Sequence, residues 1–333
     1  MISLLLILLI SGSYCVGDER VRFAAVLFRH GDRTPVDSYP TDPWRNESMW
    51  PVKFGELTNI GKQQHYALGQ WLRKRYSHLL STRMYPPVGS SVWNTDLLWQ
   101  PMPVHTVPEK EDEILSMKKP CPAYNQEYKK VTSSKAYKER LMKYQKLMDY
   151  LTAYTGTKVK DYYDIDNIYS VLNIENLYNF TLPVFTTETS SPVLARLKVG
   201  PFIKQVMSKM RDAMEENVQS VHEKHPKVLI YSAHDLNIGS VLNALGVFDN
   251  KCPVYTATVF FELIHDNTTS EHYIRISYRN STEIVEPHVL SIPYCGKLCP
   301  VDRFVQLYDN LVKYGVHESS AIGDTDSDSE QIS

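Results

Sequence analysis

The chain has 333 residues, 43% of them hydrophobic, enough for a sizeable core in one large domain or two. Its 36 lysines and arginines nearly balance 38 aspartates and glutamates, giving a formal net charge of −2. No basic stripe runs along it, so nucleic acid is not an expected partner. Residues 1–17 (MISLLLILLISGSYCVG) read as a secretory signal peptide. Its apolar core, residues 2–10, is too short to span a bilayer. No later stretch approaches about 18 uninterrupted apolar residues, so no membrane anchor is expected.

Residues 21–40 (VRFAAVLFRHGDRTPVDSYP) pair a nearly continuous apolar run with a cluster of charge. The run suits a strand covered on both faces. The polar string that follows falls where open α/β sheets place their ligand crevice. Arg29 and Arg33 carry planar donor forks that match phosphate oxygens. His30 stands between them, the only nucleophile of the string whose ordinary pKa is near neutral. A histidine flanked by two guanidiniums can attack the phosphorus of a monoester while the arginines take up the charge on its equatorial oxygens. The bland alternative is a strand-end loop whose arginines pair with surface carboxylates.

A loop rich in Pro, Trp and Asp (38–54) precedes a helix, GELTNIGKQQHYALGQWLRKRY. Thr58 can cap it, and Leu57, Ile60, Ala67, Leu68, Trp71, Leu72 and Tyr76 mark its apolar stripe. Prolines at 101, 103 and 108 predict an extended edge segment. Residues 120–178 read as helical, with stripes at Leu141, Tyr144, Leu147, Met148, Leu151 and Tyr154, then Ile165, Ile168, Val171 and Leu172. Gly200-Pro201 is expected to open a further helix, buried through Phe202, Val206, Met207, Met210, Met214 and Val218. Residues 227–231 (KVLIY) form a short buried strand ending in Ser232-Ala233-His234-Asp235, with a helix after it. Taken alone, Asp235 could simply cap that helix. A sheet joining the two strand ends would instead set His234 and Asp235 over the same phosphate as His30. A hairpin (256–265 and 272–279) and an acidic, disordered tail (316–333) complete the order.

Without Cys15, which leaves with the signal, four cysteines remain: Cys121, Cys252, Cys295 and Cys299. An even count in a secreted chain suggests disulfides, and Cys295 and Cys299 are close enough for a local bridge. A zinc site is the rival, but no histidine stands at ligand spacing. Sequons at Asn46, Asn179, Asn267 and Asn280 fit a lumenal or extracellular chain.

The strings R-H-G-D-R-T-P and Y-S-A-H-D, with L-T-x-x-G-x-x-Q-x-x-x-L-G-x-x-L-R-x-R-Y between them, resemble the histidine acid phosphatases. The resemblance implies an α/β fold of the phosphoglycerate mutase-like type: a mixed central sheet flanked by helices, with a smaller helical cap. The sheet domain would comprise residues 18–119 and 224–315, and the cap residues 120–223. It implies no metal and no cofactor, a small phosphate monoester as substrate, and a secreted or lysosomal chain. A homodimer is allowed. By motif match His30 would be the nucleophile, Arg29, Arg33 and His234 would bind phosphate, and Asp235 would protonate the leaving alcohol.

Three departures stand against that pattern. After the helix ending at Tyr76 the family carries a strand with an Arg-Ser-Thr-Asp-like motif, whose arginine is a third phosphate ligand. Here only a short join is found, and Arg83 stands too close to Pro86-Pro87 to match. The cap is short between Phe185 and Arg196. A cysteine beyond Phe304 is missing, which leaves Cys121 with Cys252 as one possible pair. The rival readings are therefore a pseudophosphatase, weak or inactive, and a specialised enzyme for inositol phosphates, lipid phosphates or nucleotides.

Overall fold

The apolar run that precedes Arg29 becomes β1 (Glu19–Arg29), a strand buried on both faces. The computed structural model describes residues 19–80, 92, 104–115, 120–175, 191–215, 226–283 and 285–312. Alternate residues of a strand face opposite ways. Phe23, Ala25 and Leu27 enter one core, shared with α6 (Pro192–Glu215), α7 (Asp235–Ala244) and α8 (Val301–Val312). Ala24 and Val26 enter another, with Leu68 and Leu72 of α1 (Asn59–Arg75) and Tyr76 at its C-terminus. Burying a side chain such as Phe23 or Leu27 contributes about 1.5–3 kcal/mol, so the doubly covered strand is a main source of stability.

The sheet runs β2–β1–β3–β4–β5, with β2 (Val228–Ala233), β3 (Thr258–Asp266), β4 (His272–Arg279) and β5 (His288–Val289), and β6 (Cys299–Pro300) pairs with β4. β1 and β2 are parallel, Arg29 opposite Ala233. β3 is antiparallel to β1, with Thr258 opposite Phe28. This register brings the ends of β1 and β2, the start of β3 and the end of β4 to one edge. Among the described residues β2 is the outermost strand, and its Ile230 is 52% exposed.

The face under α1 is not wholly apolar. Glu262 of β3 is fully buried there, and its carboxylate accepts from Arg75 (2.8 and 3.1 Å), Arg275 (3.0 Å) and the Tyr76 hydroxyl (2.8 Å). A buried carboxylate is tolerated only when it is paired and hydrogen-bonded in this way.

Helices α2 (Pro122–Ser133), α3 (Lys135–Met142), α4 (Gln145–Thr155) and α5 (Tyr162–Glu175) fill the expected helical segment. Met148, Val159 and Ile168 give it a small core of its own. The stripe that looked continuous from Leu141 to Tyr154 is split between α3 and α4, and Tyr154 is 66% exposed. Ile60 likewise leaves the expected stripe of α1 and is exposed.

One expected helix start is corrected. Pro201 lies inside α6, which begins at Pro192. Gly200 is there for a close approach: a Cβ on it would stand 2.4 Å from the Leu311 carbonyl oxygen of α8. That close approach requires a residue without a Cβ at 200, and the helix runs on through Pro201. The same helix packs against the sheet through Val199, Phe202, Ile203 and Val206, so the expected boundary at residue 223 groups with the cap a helix that shares the sheet's core.

The signal segment, Arg83, Asn179, Val218, most of the extended edge segment and the acidic tail lie outside the described residues. Cys295 and Cys299 are bonded, whereas Cys121 and Cys252 are free. Asn46 and Asn267 are exposed, and Asn280 is half-buried with its side-chain oxygen accepting from the Val254 N–H (3.1 Å). Among the described residues no helix is long and apolar enough to cross a membrane.

Candidate active site

The parallel register delivers His30 and His234 side by side, each one residue past its strand. The His30 N–H donates to the Ala233 carbonyl (3.0 Å), and the two imidazole rings meet edge to face at 5.4 Å. Asp235 begins α7 beside them, and its carboxylate pairs with the Arg29 guanidinium at 2.9 Å. Arg33 donates from Nε to His30 Nε2 (3.1 Å). All five residues singled out in the sequence, Arg29, His30, Arg33, His234 and Asp235, thus meet at one sheet edge.

The protonation of His30 follows from its contacts. Nδ1 lies 2.8 Å from the Gly31 carbonyl oxygen and must donate to it, which leaves the Nε2 lone pair to accept from Arg33. Burial lowers its pKa to about 4. The Gly31 carbonyl opposes this, while the charges of Arg29, Arg33 and His234 add to it. The neutral imidazole therefore persists into acid solution.

The loop carrying these groups is seated on the start of α1. A Cβ at Gly31 would lie 2.5 Å from the Gly61 oxygen, and one at Gly61 only 2.0 Å from the Asp32 oxygen. The two glycines let loop and helix touch backbone to backbone. Gly31 N–H donates to His65 Nε2 (2.7 Å), Asp32 N–H to Gln64 Oε1 (2.8 Å), and the Thr58 hydroxyl to the buried Asp32 carboxylate. Thr58 also caps α1, as its sequence position suggests, by accepting from Gly61 N–H (3.2 Å). Three side chains of α1 and its cap, Thr58, Gln64 and His65, thus fix the loop ahead of any ligand.

Several contributors had no signal strong enough to be found in the sequence. The Tyr255 ring lies under the Arg29 guanidinium at 4.4 Å. Thr256 has φ +57°, an outlier for a β-branched residue, and its N–H donates to the His30 carbonyl (3.3 Å). Arg279, fully buried at the end of β4, donates from Nη2 to the Thr256 carbonyl (2.7 Å) and holds that strained residue. Its Nε and Nη1 have no partner among the described residues, and burial lowers its pKa to about 10. Asn237, three residues after His234, accepts from the His234 N–H (3.0 Å), a spacing typical of helix starts that could have marked it. Cys252 is nearby, but burial first, and the Asp235 charge next, push its thiol up to about 12.

Two histidines, two arginines and a carboxylate at the ends of parallel strands define a phosphate-handling α/β protein. Residues 20–94 and 143–279 match the family model of the histidine phosphatase superfamily (branch 2), and the chain belongs to that family. It is 32% identical to prostatic acid phosphatase of Mus musculus, over 88% of this chain and 87% of the relative. Lysosomal acid phosphatase of Xenopus laevis is 30% identical over 94% of this chain and 81% of its own. Venom acid phosphatase Acph-1 of Apis mellifera is 31% identical over 86% and 84%. In fold the chain is similar to the Hafnia Alvei phytase solved with tartrate, with a TM-score of 0.55 and 16% identity over 89% of this chain and 98% of that one.

Proposed function

We propose that this chain hydrolyses phosphate monoesters in two steps through a phosphohistidine, as an acid phosphatase. The observation that carries the reading is the state of His30: a neutral ring, anchored through Nδ1, with Nε2 bearing a lone pair beside Arg33. Nε2 attacks phosphorus, the bond from phosphorus to the ester oxygen breaks, and Asp235 gives its proton to the departing alcohol. Water then attacks phosphorus while losing a proton to Asp235, and the phosphorus–nitrogen bond breaks with its electron pair returning to Nε2, which releases phosphate and restores His30. Arg29 and Arg33 grip the phosphoryl oxygens and His234 donates to them, replacing water with fixed donors.

The Arg29–Asp235 pair gives the cycle a starting state. An incoming phosphate competes with Asp235 for Arg29 and frees that carboxyl to face the ester oxygen. The neutral His30 ring is left free to attack.

The relatives named lysosomal and prostatic, the signal-like start and the exposed Asn46 and Asn267 support a secreted or lysosomal glycoprotein. Glycosidase treatment should lower its apparent mass on a gel, and an unshifted cytosolic chain would contradict this. A weak or inactive catalyst is the second reading. It is favoured by the short join after Tyr76, where the family resemblance implies a strand carrying a third phosphate-binding arginine. Turnover of p-nitrophenyl phosphate at acid pH, with radiolabelled phosphate trapped on His30 by acid quench, tests the first reading. Label on a serine or an aspartate would sink it, and no turnover would favour the second.

A further inference from the structure

A cavity of about 500 Å³ opens between the loop after β1 and helix α5, far larger than a phosphate needs. Arg33 lies in its wall, and the same guanidinium donates to His30 Nε2 at 3.1 Å. The cavity therefore borders the phosphate site directly. Its apolar wall comprises Tyr39, Tyr163, Ile168 and Val171, rings and branched chains that suit a flat or alkyl body. Its charges are the wrong sign for a polyanion. Asp37 and Asp164 both face it, while Arg33, already committed to the transferred phosphate, is the one cation among its described lining residues. Neither aspartate has a lysine or arginine within ion-pair distance among the described residues. Asp37 accepts from the Ser38 N–H and Asp164 from the Lys160 N–H, both at 2.8 Å, so both carboxylates are held in place.

We propose that this cavity seats the alcohol half of the ester, and that Asp37 and Asp164 set its selectivity. Monophosphates with a neutral or cationic, ring-bearing body are taken; bodies carrying further phosphates are refused. The fold is shared with proteins named phytases, yet the wall here repels the charge that an inositol polyphosphate brings. This inference rests on the phosphatase reading for its chemistry, but the binding preference stands apart from turnover.

The test compares the full chain with an Asp37→Asn/Asp164→Asn double variant. Both positions are at least partly exposed, and asparagine keeps each accepting oxygen. kcat/KM is measured on phenyl phosphate, on phosphoethanolamine and on inositol hexakisphosphate, and binding of phenylphosphonate and of inositol hexakisphosphate is measured by calorimetry. The double variant should gain about tenfold on the hexakisphosphate and lose about as much on phosphoethanolamine, the scale of screened charge pairs at a protein surface. Phenyl phosphate should stay within about twofold, since its body is uncharged. If the native chain hydrolyses phenyl phosphate but binds the hexakisphosphate as tightly as phenylphosphonate, the cavity assignment falls and the phosphatase reading stands. If it prefers phenylphosphonate in binding, and the double variant loses that preference, but no ester is turned over, the phosphatase reading falls and the assignment stands. An equal change on all three substrates, or none, also overturns the assignment.

Discussion

Arg33 Nε lies 3.1 Å from His30 Nε2, so the atom proposed to attack phosphorus is already aimed at one of the groups proposed to hold the phosphate. That contact makes the ring a hydrogen-bond acceptor in the free protein. It is also broken most readily by a phosphate, which offers Arg33 charged oxygens in place of a neutral nitrogen.

The first prediction concerns acid solution. Burial first, then the neighbouring cations, lower the His30 pKa from 6.5 to about 4. The unfolded chain therefore takes up a proton on His30 before the folded one does. The stabilisation from keeping this ring neutral is complete above about pH 6.5 and is lost as pH falls through about 4, up to about 3 kcal/mol. kcat/KM should show its acid limb near pH 4, because a protonated Nε2 has no lone pair. An acid limb near pH 6.5, the ordinary histidine value, would show that burial and the neighbouring cations do not lower the His30 pKa. His30→Ala should remove both the limb and the activity.

For Asp235, leaving-group dependence is the informative measurement. Asp235→Asn should lower kcat on an alkyl phosphate by about 10²–10³, within the range of general-acid catalysis, and far less on p-nitrophenyl phosphate, whose phenolate leaves without a proton. Equal losses on both esters would reject the proton-donor role and leave only the Arg29 pairing as the function of Asp235.

Gly61→Ala places a methyl group 2.0 Å from the Asp32 carbonyl oxygen, so α1 must shift away from the loop carrying His30. Tm and kcat/KM should both fall. Gly69→Ala on the same helix meets nothing within 4 Å and should be neutral or stabilising by up to about 1 kcal/mol. If the two substitutions behave alike, the close approach does not position the loop.

Glu262→Gln should destabilise by about 3 kcal/mol in urea titration, since Arg75, Arg275 and Tyr76 all lose their shared anion. Burial alone would raise the Glu262 pKa, but the hydrogen bond and charge of Arg75, with Arg275 and Tyr76, hold it below the usual range. The stabilisation is thus present above that range and is lost as pH falls through the lowered value. A variant with unchanged stability would mean that the cluster contributes nothing net.

Much of the site was legible because its residues are close in sequence and chemically distinctive. An apolar run ending in Arg29, His30 and Arg33, and a shorter one ending in His234 and Asp235, specify two strand ends with phosphate chemistry before any fold is known. Local rules also gave the Thr58 cap and the β3–β4 hairpin, because caps and turns depend on neighbouring residues. Other features depend on contacts between distant segments. Gly200-Pro201 reads locally as a helix start, and only the Leu311 backbone against it explains why residue 200 is a glycine inside α6. Tyr255, Thr256 and Arg279 carry no motif; they reach His30 because β3 and β4 are antiparallel and end at the same edge. The sequence by itself pointed to the groups proposed to do the chemistry, since reactivity belongs to residue type. The tertiary structure alone decided their separations, the lowered pKa of His30 and the acidic wall beside Arg33, since these depend on distance and on exclusion of water.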